Sequence, residues 1–250
     1  MDLGIDGRVA LVLGASKGIG LAIAAALARE GAAVAAVSRS SERVEAAAAG
    51  LGERAAGLAA DTDDLEAMRA LPARVADRLG PVDILVTNTG GPPLGELASS
   101  VAEDREAAHR SLVLAPWTLA EAVLPGMRER GWGRIVNVGS SSIHEPIDGL
   151  ALSNVYRPGA LGLFGTLARE VAADGITVNT VGTGRFATDR LAENWGSREQ
   201  MEREAPAGVP AGRLGAPEEF GDLVAFLCSE RAAYLTGSLI PLDGGLTRAI

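Results

Sequence analysis

Apolar residues along this chain come in short, dense blocks separated by longer mixed stretches. Runs rich in Val, Ile and Leu recur at residues 9–13, 33–37, 84–86, 134–138 and 177–181. They are too short for helices, and their lack of polar alternation predicts strands buried on both faces. The stretches between them, residues 19–30, 41–51, 63–79, 103–130 and 160–173, are amphipathic or Ala-rich and are predicted as helices. Weaker signals at 54–59 and 238–241 bring the strands to seven. Gly31, Gly80, Gly131 and Gly175 each stand where a helix must end before the next strand, a position that favours a residue tolerant of positive φ. Strand and helix alternate almost to the end, which predicts a doubly wound α/β fold: a seven-stranded parallel sheet with helices on both faces and right-handed crossovers.

Composition narrows this picture. At 250 residues with 47% hydrophobic content, the chain suits one compact domain over 1–250. Its least regular segment, about 182–217, follows a strand and is placed to cover a ligand crevice. With 23 Lys and Arg against 32 Asp and Glu, the net charge of −9 argues against nucleic acid or an anionic membrane as partner. Cys228 has no second cysteine to pair with, and with only His109 and His144 beside it a metal site is not expected. The N-terminus is acidic where a signal peptide needs basic residues, and no apolar run approaches a membrane span, so a soluble cytoplasmic protein is expected.

The first candidate site follows the first strand. Gly14-Ala-Ser16-Lys17-Gly18-Ile19-Gly20 opens the first predicted helix. Glycines there permit a tight turn and close backbone approach, and the helix N-terminus offers free N–H groups to a pyrophosphate. This predicts a Rossmann-type dinucleotide site. The second strand ends at Ser38-Arg39, where an acid would hold a free ribose hydroxyl. Its absence, with Arg39 and Lys17 placed to meet a 2′-phosphate, favours NADP(H) over NAD(H).

Further motifs resemble the short-chain dehydrogenases and reductases, in the branch typified by 3-oxoacyl carrier-protein reductases. They are the glycine turn, Asp61, Asn88-Thr89-Gly90, Gly133-Arg-Ile-Val-Asn137, Gly175-Ile-Thr-Val-Asn179, and a C-terminal series from Gly212-Arg-Leu-Gly-Ala-Pro-Glu218 to Asp243-Gly-Gly245. The resemblance implies that Asp61, with Thr62, and the Asn88–Gly90 turn meet the adenosine half of the cofactor, and that Thr188 meets the nicotinamide carboxamide. It also implies a homotetramer, or a dimer, built through long helices and the C-terminal segment.

The family's chemistry uses a Tyr, a Lys four residues later, a carbonyl-orienting Ser and a helix Asn. Taking Arg157-Pro-Gly-Ala-Leu161 in place of the familiar Ser-Lys-Ala-Ala-Leu puts Asn154 at the Tyr position and Pro158 at the Lys position, with Leu112 at the Asn position. Ser140 matches the Ser, with Ser141 as near rival. Three candidates for the missing acid–base work follow. Tyr156 turns toward a substrate if the helix starts near Pro158, and packs elsewhere if it does not. His144, in the loop after the fifth strand near Glu145 and Asp148, has the ordinary acidity for proton transfer. Arg157 is available either to stabilise a phenolate or anionic substrate, or as a surface or interface charge. Pro116 is expected to leave the Leu112 carbonyl without its helical partner. The expected activity is NADP-dependent oxidation or reduction of a small-molecule carbonyl or alcohol, with an atypical catalytic set. The alternative is a non-catalytic NADP-binding sensor or partner subunit.

Overall fold

The computed structural model describes residues 1–248. The chain runs β1 (Val9–Leu13), α1 (Gly18–Arg29), β2 (Ala33–Ser38), α2 (Ser41–Leu51), β3 (Ala55–Ala59), α3 (Leu65–Leu79) and β4 (Ile84–Thr87). It continues through α4 (Ala102–His109), α5 (Ala115–Arg130), β5 (Gly133–Val138), α6 (Ala151–Val171), β6 (Ile176–Thr183), α7 (Asp189–Asn194), α8 (Arg198–Glu204), α9 (Pro217–Leu227) and β7 (Leu239–Leu242). The strands form one seven-stranded sheet in the order β3-β2-β1-β4-β5-β6-β7, and every pairing is parallel.

The strands are buried because both faces are covered. Val12, Val34 and Val86 pack on one side with Ile23 and Leu27 of α1 and Phe220 and Val224 of α9. Leu11, Leu85 and Ile135 pack on the other with α3, α5 and α6 through Leu71, Leu119 and Phe164. This explains the uninterrupted apolar runs of the sequence. The order of strand addition reverses between β1 and β4, and a crevice opens at the carboxyl ends of strands where such a reversal occurs.

Two helices depart from expectation, and both departures shape that crevice. The helix expected at 160–173 begins at Ala151 and passes straight through Pro158. Proline inside a helix removes a hydrogen bond and crowds the preceding turn. Here the first turns are pinned from outside: Asn154 donates to the carbonyl of Ile147 and accepts from its N–H at 2.9 and 3.1 Å, and Gly95 bridges to Leu150. The helix expected at 103–130 is interrupted by a π turn over Arg110–Leu114. The Ala115 N–H reaches back five residues to the Arg110 carbonyl. Pro116, which has no N–H to continue the ladder, follows directly.

Candidate functional site

Two adjoining clefts and a third cavity meet at the carboxyl ends of β1, β4, β5 and β6. The first cleft, about 500 Å³, is lined by Gly14, Ser16, Lys17, Ser38, Arg39, Asp61, Thr62, Asn88, Thr89 and Gly90. The second, about 310 Å³, is lined by Gly18, Ile19, Gly20 and Thr188 on one side and Ser140, Ser153 and Arg157 on the other. The third, about 530 Å³, shares Ser140 and Thr183 with the second and extends to Glu145, Asp148, Arg185 and Trp195. All the nucleotide-site residues expected from the sequence therefore border one continuous surface with Ser140.

The glycine turn has a steric reason. Gly14 has φ of +63°, and a Cβ there would collide with the Asn88 carbonyl oxygen. A Cβ on Gly20 would strike both the Gly14 carbonyl oxygen and Asn88. The turn, the start of α1 and the end of β4 are thus packed backbone to backbone, leaving the open side for a ligand. At the outer end, Arg39 and Arg43 line the first cleft without a carboxylate partner among the described residues, and Ser38 replaces the acid at the end of β2. Lys17 is shared at 3.9 Å each with Asp189 and Glu193 of α7.

The inner end departs from the sequence-based assignment. Ser153 and Arg157, not Asn154 and Pro158, face the end of β5. Ser153 Oγ lies 2.9 Å from Ser142 Oγ. Arg157 donates from Nε to Ser153 Oγ at 3.1 Å, and from its terminal nitrogens to the carbonyls of Val138 and Gly90 at 3.0 and 2.7 Å. Asn154 is occupied with Ile147, and Pro158 is exposed. The physical reason is helical phase: one residue turns a side chain by about 100°, so a register slip of one swaps the face that meets the cavity. Burial, then the neighbouring Arg190 cation, pushes the Arg157 guanidinium down to about 10, still protonated at neutral pH.

The other acid–base candidates stand elsewhere. Because α6 starts at Ala151, Tyr156 lies within the helix and not in a lead-in to it; its ring stacks on His109 of α4 at 5.6 Å and borders none of the three cavities. The condition under which Tyr156 turns to the substrate is therefore not met. His144 borders none of them either, and its Nε2 is buried without a hydrogen-bond partner. Ser140 remains at the cavity. Its Oγ accepts from the Ser142 N–H at 3.1 Å, so its own O–H is free to donate to a ligand. Ser141 is buried and borders the third cavity. Leu112 is buried within the π turn.

In the 182–217 segment, Phe186 packs edge-on against Phe220 in the core and Met201 is fully buried. Trp195 borders the third cavity, beneath the Arg185 guanidinium at 5.2 Å, and Phe186 also borders the second cleft. Arg190 reaches across to the carbonyl of Pro92 at 3.0 Å and borders the first two clefts. Ser142, Ser153 and Thr183 were not marked by sequence reasoning. The readable signal for Ser153 was its spacing, four residues before a basic side chain and thirteen after Ser140. Among the described residues no helix is long and apolar enough to cross a membrane, and no cluster of His, Cys, Asp and Glu is grouped for a metal ion.

A parallel sheet with a glycine-turn cleft at its reversal point, continuous with a cavity rich in hydroxyl and guanidinium groups, defines a nucleotide-binding oxidoreductase of the short-chain class. The family model described as enoyl-(acyl carrier protein) reductase matches residues 14–247. The 3-oxoacyl-[acyl-carrier-protein] reductase FabG of Vibrio cholerae is 37% identical over 244 residues, covering 98% of this chain and 99% of that protein. Dehydrogenase/reductase SDR family member 4 of Oryctolagus cuniculus is 36% identical over 242 residues, covering 95% of this chain and 93% of that one. The L-sorbose reductase of Gluconobacter frateurii, solved in complex with NADPH and L-sorbose, superposes with a TM-score of 0.95 at 33% identity over 100% of both chains. The chain belongs to the short-chain dehydrogenase/reductase family and is an oxidoreductase of that type.

Proposed function

We propose that the protein is an NADP(H)-dependent reductase of a small carbonyl compound, in which Ser153 and Arg157 stand at the family's Tyr and Lys positions. The observation that carries the cofactor reading is the outer end of the first cleft, where Arg39 and Arg43 are free of carboxylates and Ser38 stands in place of an acid. Charge-assisted hydrogen bonds from such residues suit a 2′-phosphate and not a bare ribose diol. The glycine turn fits the pyrophosphate, since the space denied to a Cβ at Gly14 and Gly20 lets the backbone N–H groups come close. The relative crystallised with NADPH supports the same reading.

When bound, the nicotinamide supplies the hydride. The chain's own residues then position and polarise. Thr188, which caps α7 by accepting from the Leu191 N–H at 3.2 Å, borders the second cleft on the side opposite Arg157. Ser140 donates its free O–H to the substrate oxygen, and Arg157 adds positive charge on the same side. Leu191 and Asn194 of α7, with Trp195 after it, wall the third cavity on one side. The exposed Trp117 of α5 and Val155 of α6 support assembly of copies through these helices, with a tetramer as the proposed state.

A paired titration with NADPH and NADH, read by nucleotide fluorescence and thermal shift, tests this. NADPH is expected to bind at least about tenfold more tightly, and Arg39→Asp to abolish or reverse that ratio, since one charge-assisted contact is worth about 1.5–3 kcal/mol. An unchanged ratio in the variant removes the phosphate assignment, and no binding of either nucleotide removes the reductase reading.

A further inference from the structure

One wall of the third cavity carries a guanidinium whose charge no carboxylate answers. Thr183 ends β6, Arg185 follows two residues later, and both border this cavity of about 530 Å³. Arg185 is half-buried and held in place. It donates to the Ala205 carbonyl at 2.7 Å, lies over the Trp195 ring at 5.2 Å, and abuts Gly208, where a Cβ would collide with it. One of its five N–H groups is thereby used and four remain. Arg190 and Arg198 in the same segment pair with Glu193 and Asp189 at 3.8 and 2.9 Å, whereas Arg185 forms no ion pair among the described residues. A planar fork partly withdrawn from water and left unfilled matches a carboxylate, which accepts two parallel hydrogen bonds from it.

The position of that anion within a substrate follows from which cavities share which residues. Ser140 and Thr183 border both the second cleft and the third cavity, and Arg185 borders only the third of these two. Thr183 Oγ1 is buried without a hydrogen-bond partner on the shared wall. The reacting carbonyl belongs with Ser140, so the group at Arg185 is a separate part of the same molecule. Leu94, Ile147, Leu150 and Leu191 supply apolar wall to the third cavity and suit a hydrocarbon body. Glu145 and Asp148, on the loop between β5 and α6, border the same cavity. Their charge repels a dianion such as a phosphate ester more strongly than a single carboxylate.

We propose that Arg185 is the specificity residue of the site, and that the substrate class is an oxo acid: a carbonyl compound with an apolar body and a carboxylate remote from the reacting carbon. The carboxylate seats on the Arg185 fork and passes through the reaction unchanged. Hydride from NADPH forms the new C–H bond at the carbonyl carbon, the carbonyl π pair moves onto oxygen, and a proton that comes ultimately from solvent completes the hydroxyl as NADPH becomes NADP⁺. The product is a hydroxy acid. This rests on the NADP(H) reductase reading above and adds the substrate class to it.

The test uses the full chain with 4-acetylbenzoate and 4-acetylbenzamide, which share a shape and differ in charge. Calorimetry on the NADP⁺ complex comes first, because NADP⁺ has no hydride to give and binding is read without turnover. The acid is expected to bind at least about tenfold more tightly than the amide, the size of one charge-assisted contact. With NADPH the same factor should appear in kcat/KM, carried by KM. Arg185→Gln keeps a donor for the Ala205 carbonyl and should bring the acid-to-amide ratio near one, with Arg185→Lys restoring part of it. Equal binding of acid and amide by wild type overturns the proposal, as does a ratio unchanged in Arg185→Gln or binding of neither probe at millimolar concentration. Tighter binding of 4-acetylphenyl phosphate overturns the choice of carboxylate. Preference for phenylglyoxylate, whose carboxylate adjoins its carbonyl, overturns the remote position. A chain that binds neither NADPH nor NADP⁺ instead removes the parent reading.

Discussion

Replacing Arg157 by Met separates a guanidinium that serves a ligand from one that merely ties the fold together. At neutral pH the folded chain bears the cost of a charge held away from water. Burial lowers the group from its ordinary value to about 10, and at about 1.4 kcal/mol per unit, discounted for the side chain's partial exposure, that is about 2–3 kcal/mol. Against this stand three hydrogen bonds from a charged donor, to Ser153, Val138 and Gly90, together worth about 5 kcal/mol. The hydrogen bonds outweigh the cost by about 2 kcal/mol. Met keeps most of the apolar stem and discards both, so the expected loss is about 2 kcal/mol, or roughly 4–8 °C in Tm for a chain of this size.

The pH dependence has a defined sign. A cationic group whose folded pKa is depressed adds relative stability above its unfolded value and loses it as pH falls through the folded one. Wild type should therefore gain relative to Arg157→Met as pH rises above about 10 toward the ordinary arginine range. Thermal melts followed by circular dichroism, with and without NADPH, measure the first effect; denaturant melts on the alkaline side measure the second. A fall beyond about 15 °C, or a chain that no longer folds, would refute the arithmetic and make Arg157 a structural clamp between α6, β5 and the turn after β4.

Tyr156→Phe should change turnover less than about twofold, because the phenol stacks on His109 outside the cavities; a loss above about 100-fold, the size of an acid–base contribution, would contradict this placement. Glu219 accepts from Arg213 at 2.7 and 2.8 Å and from the Ala216 N–H at 2.7 Å, and these bonds, the Arg213 ones first, bring its carboxyl down to about 2. Its contribution is therefore present above the ordinary carboxylate value and lost as pH falls through about 2. Because the pair is exposed, Glu219→Gln should lower stability at pH 7 by no more than about 1 kcal/mol, a difference that shrinks in melts at acidic pH. Burial pushes the Cys228 thiol up to about 12, so iodoacetamide at pH 8 should leave the native protein unmodified by mass and label it only after denaturation.

What the sequence reveals here depends on how locally each feature is encoded. The five inner strands are legible because each is buried on both faces and so carries an apolar run, whereas the half-exposed edge strands β3 and β7 give only weak signals. The glycine turn is legible because its need for positive φ and close approach is a property of the residues themselves. The start of α6 is not, because Pro158 argues locally for a helix beginning there, and what overrides it lies far off in sequence: the Asn154 clasp on Ile147, the bridge to Gly95, and the reach of Arg157 to Val138 and Gly90. The π turn at Arg110–Leu114 is hidden for a similar reason, since Pro116 announces a lost hydrogen bond but not which neighbour accommodates it.

The same locality decides the inner site. Asn154 with Pro158 and Ser153 with Arg157 are both four apart, so either pair shares a helix face and spacing cannot choose between them. The strand end chooses: the Val138 carbonyl and the Ser142 hydroxyl need partners on the facing helix, and only the Ser153 phase supplies them. A short hydroxyl at 153 also bears on the chemistry. It lets the guanidinium donate directly to Ser153 Oγ while still reaching the carbonyls of Val138 and Gly90, where a phenol would fill the space above Ser142. Reintroducing the ring with a lysine, as Ser153→Tyr with Arg157→Lys, should therefore supply a phenol acid for the alkoxide and raise NADPH-dependent reduction of a simple ketone such as benzylacetone by about 100-fold or more. If the double variant folds, binds NADPH and reduces the ketone no faster than wild type, the exchange of phenol for guanidinium is not what sets the reaction.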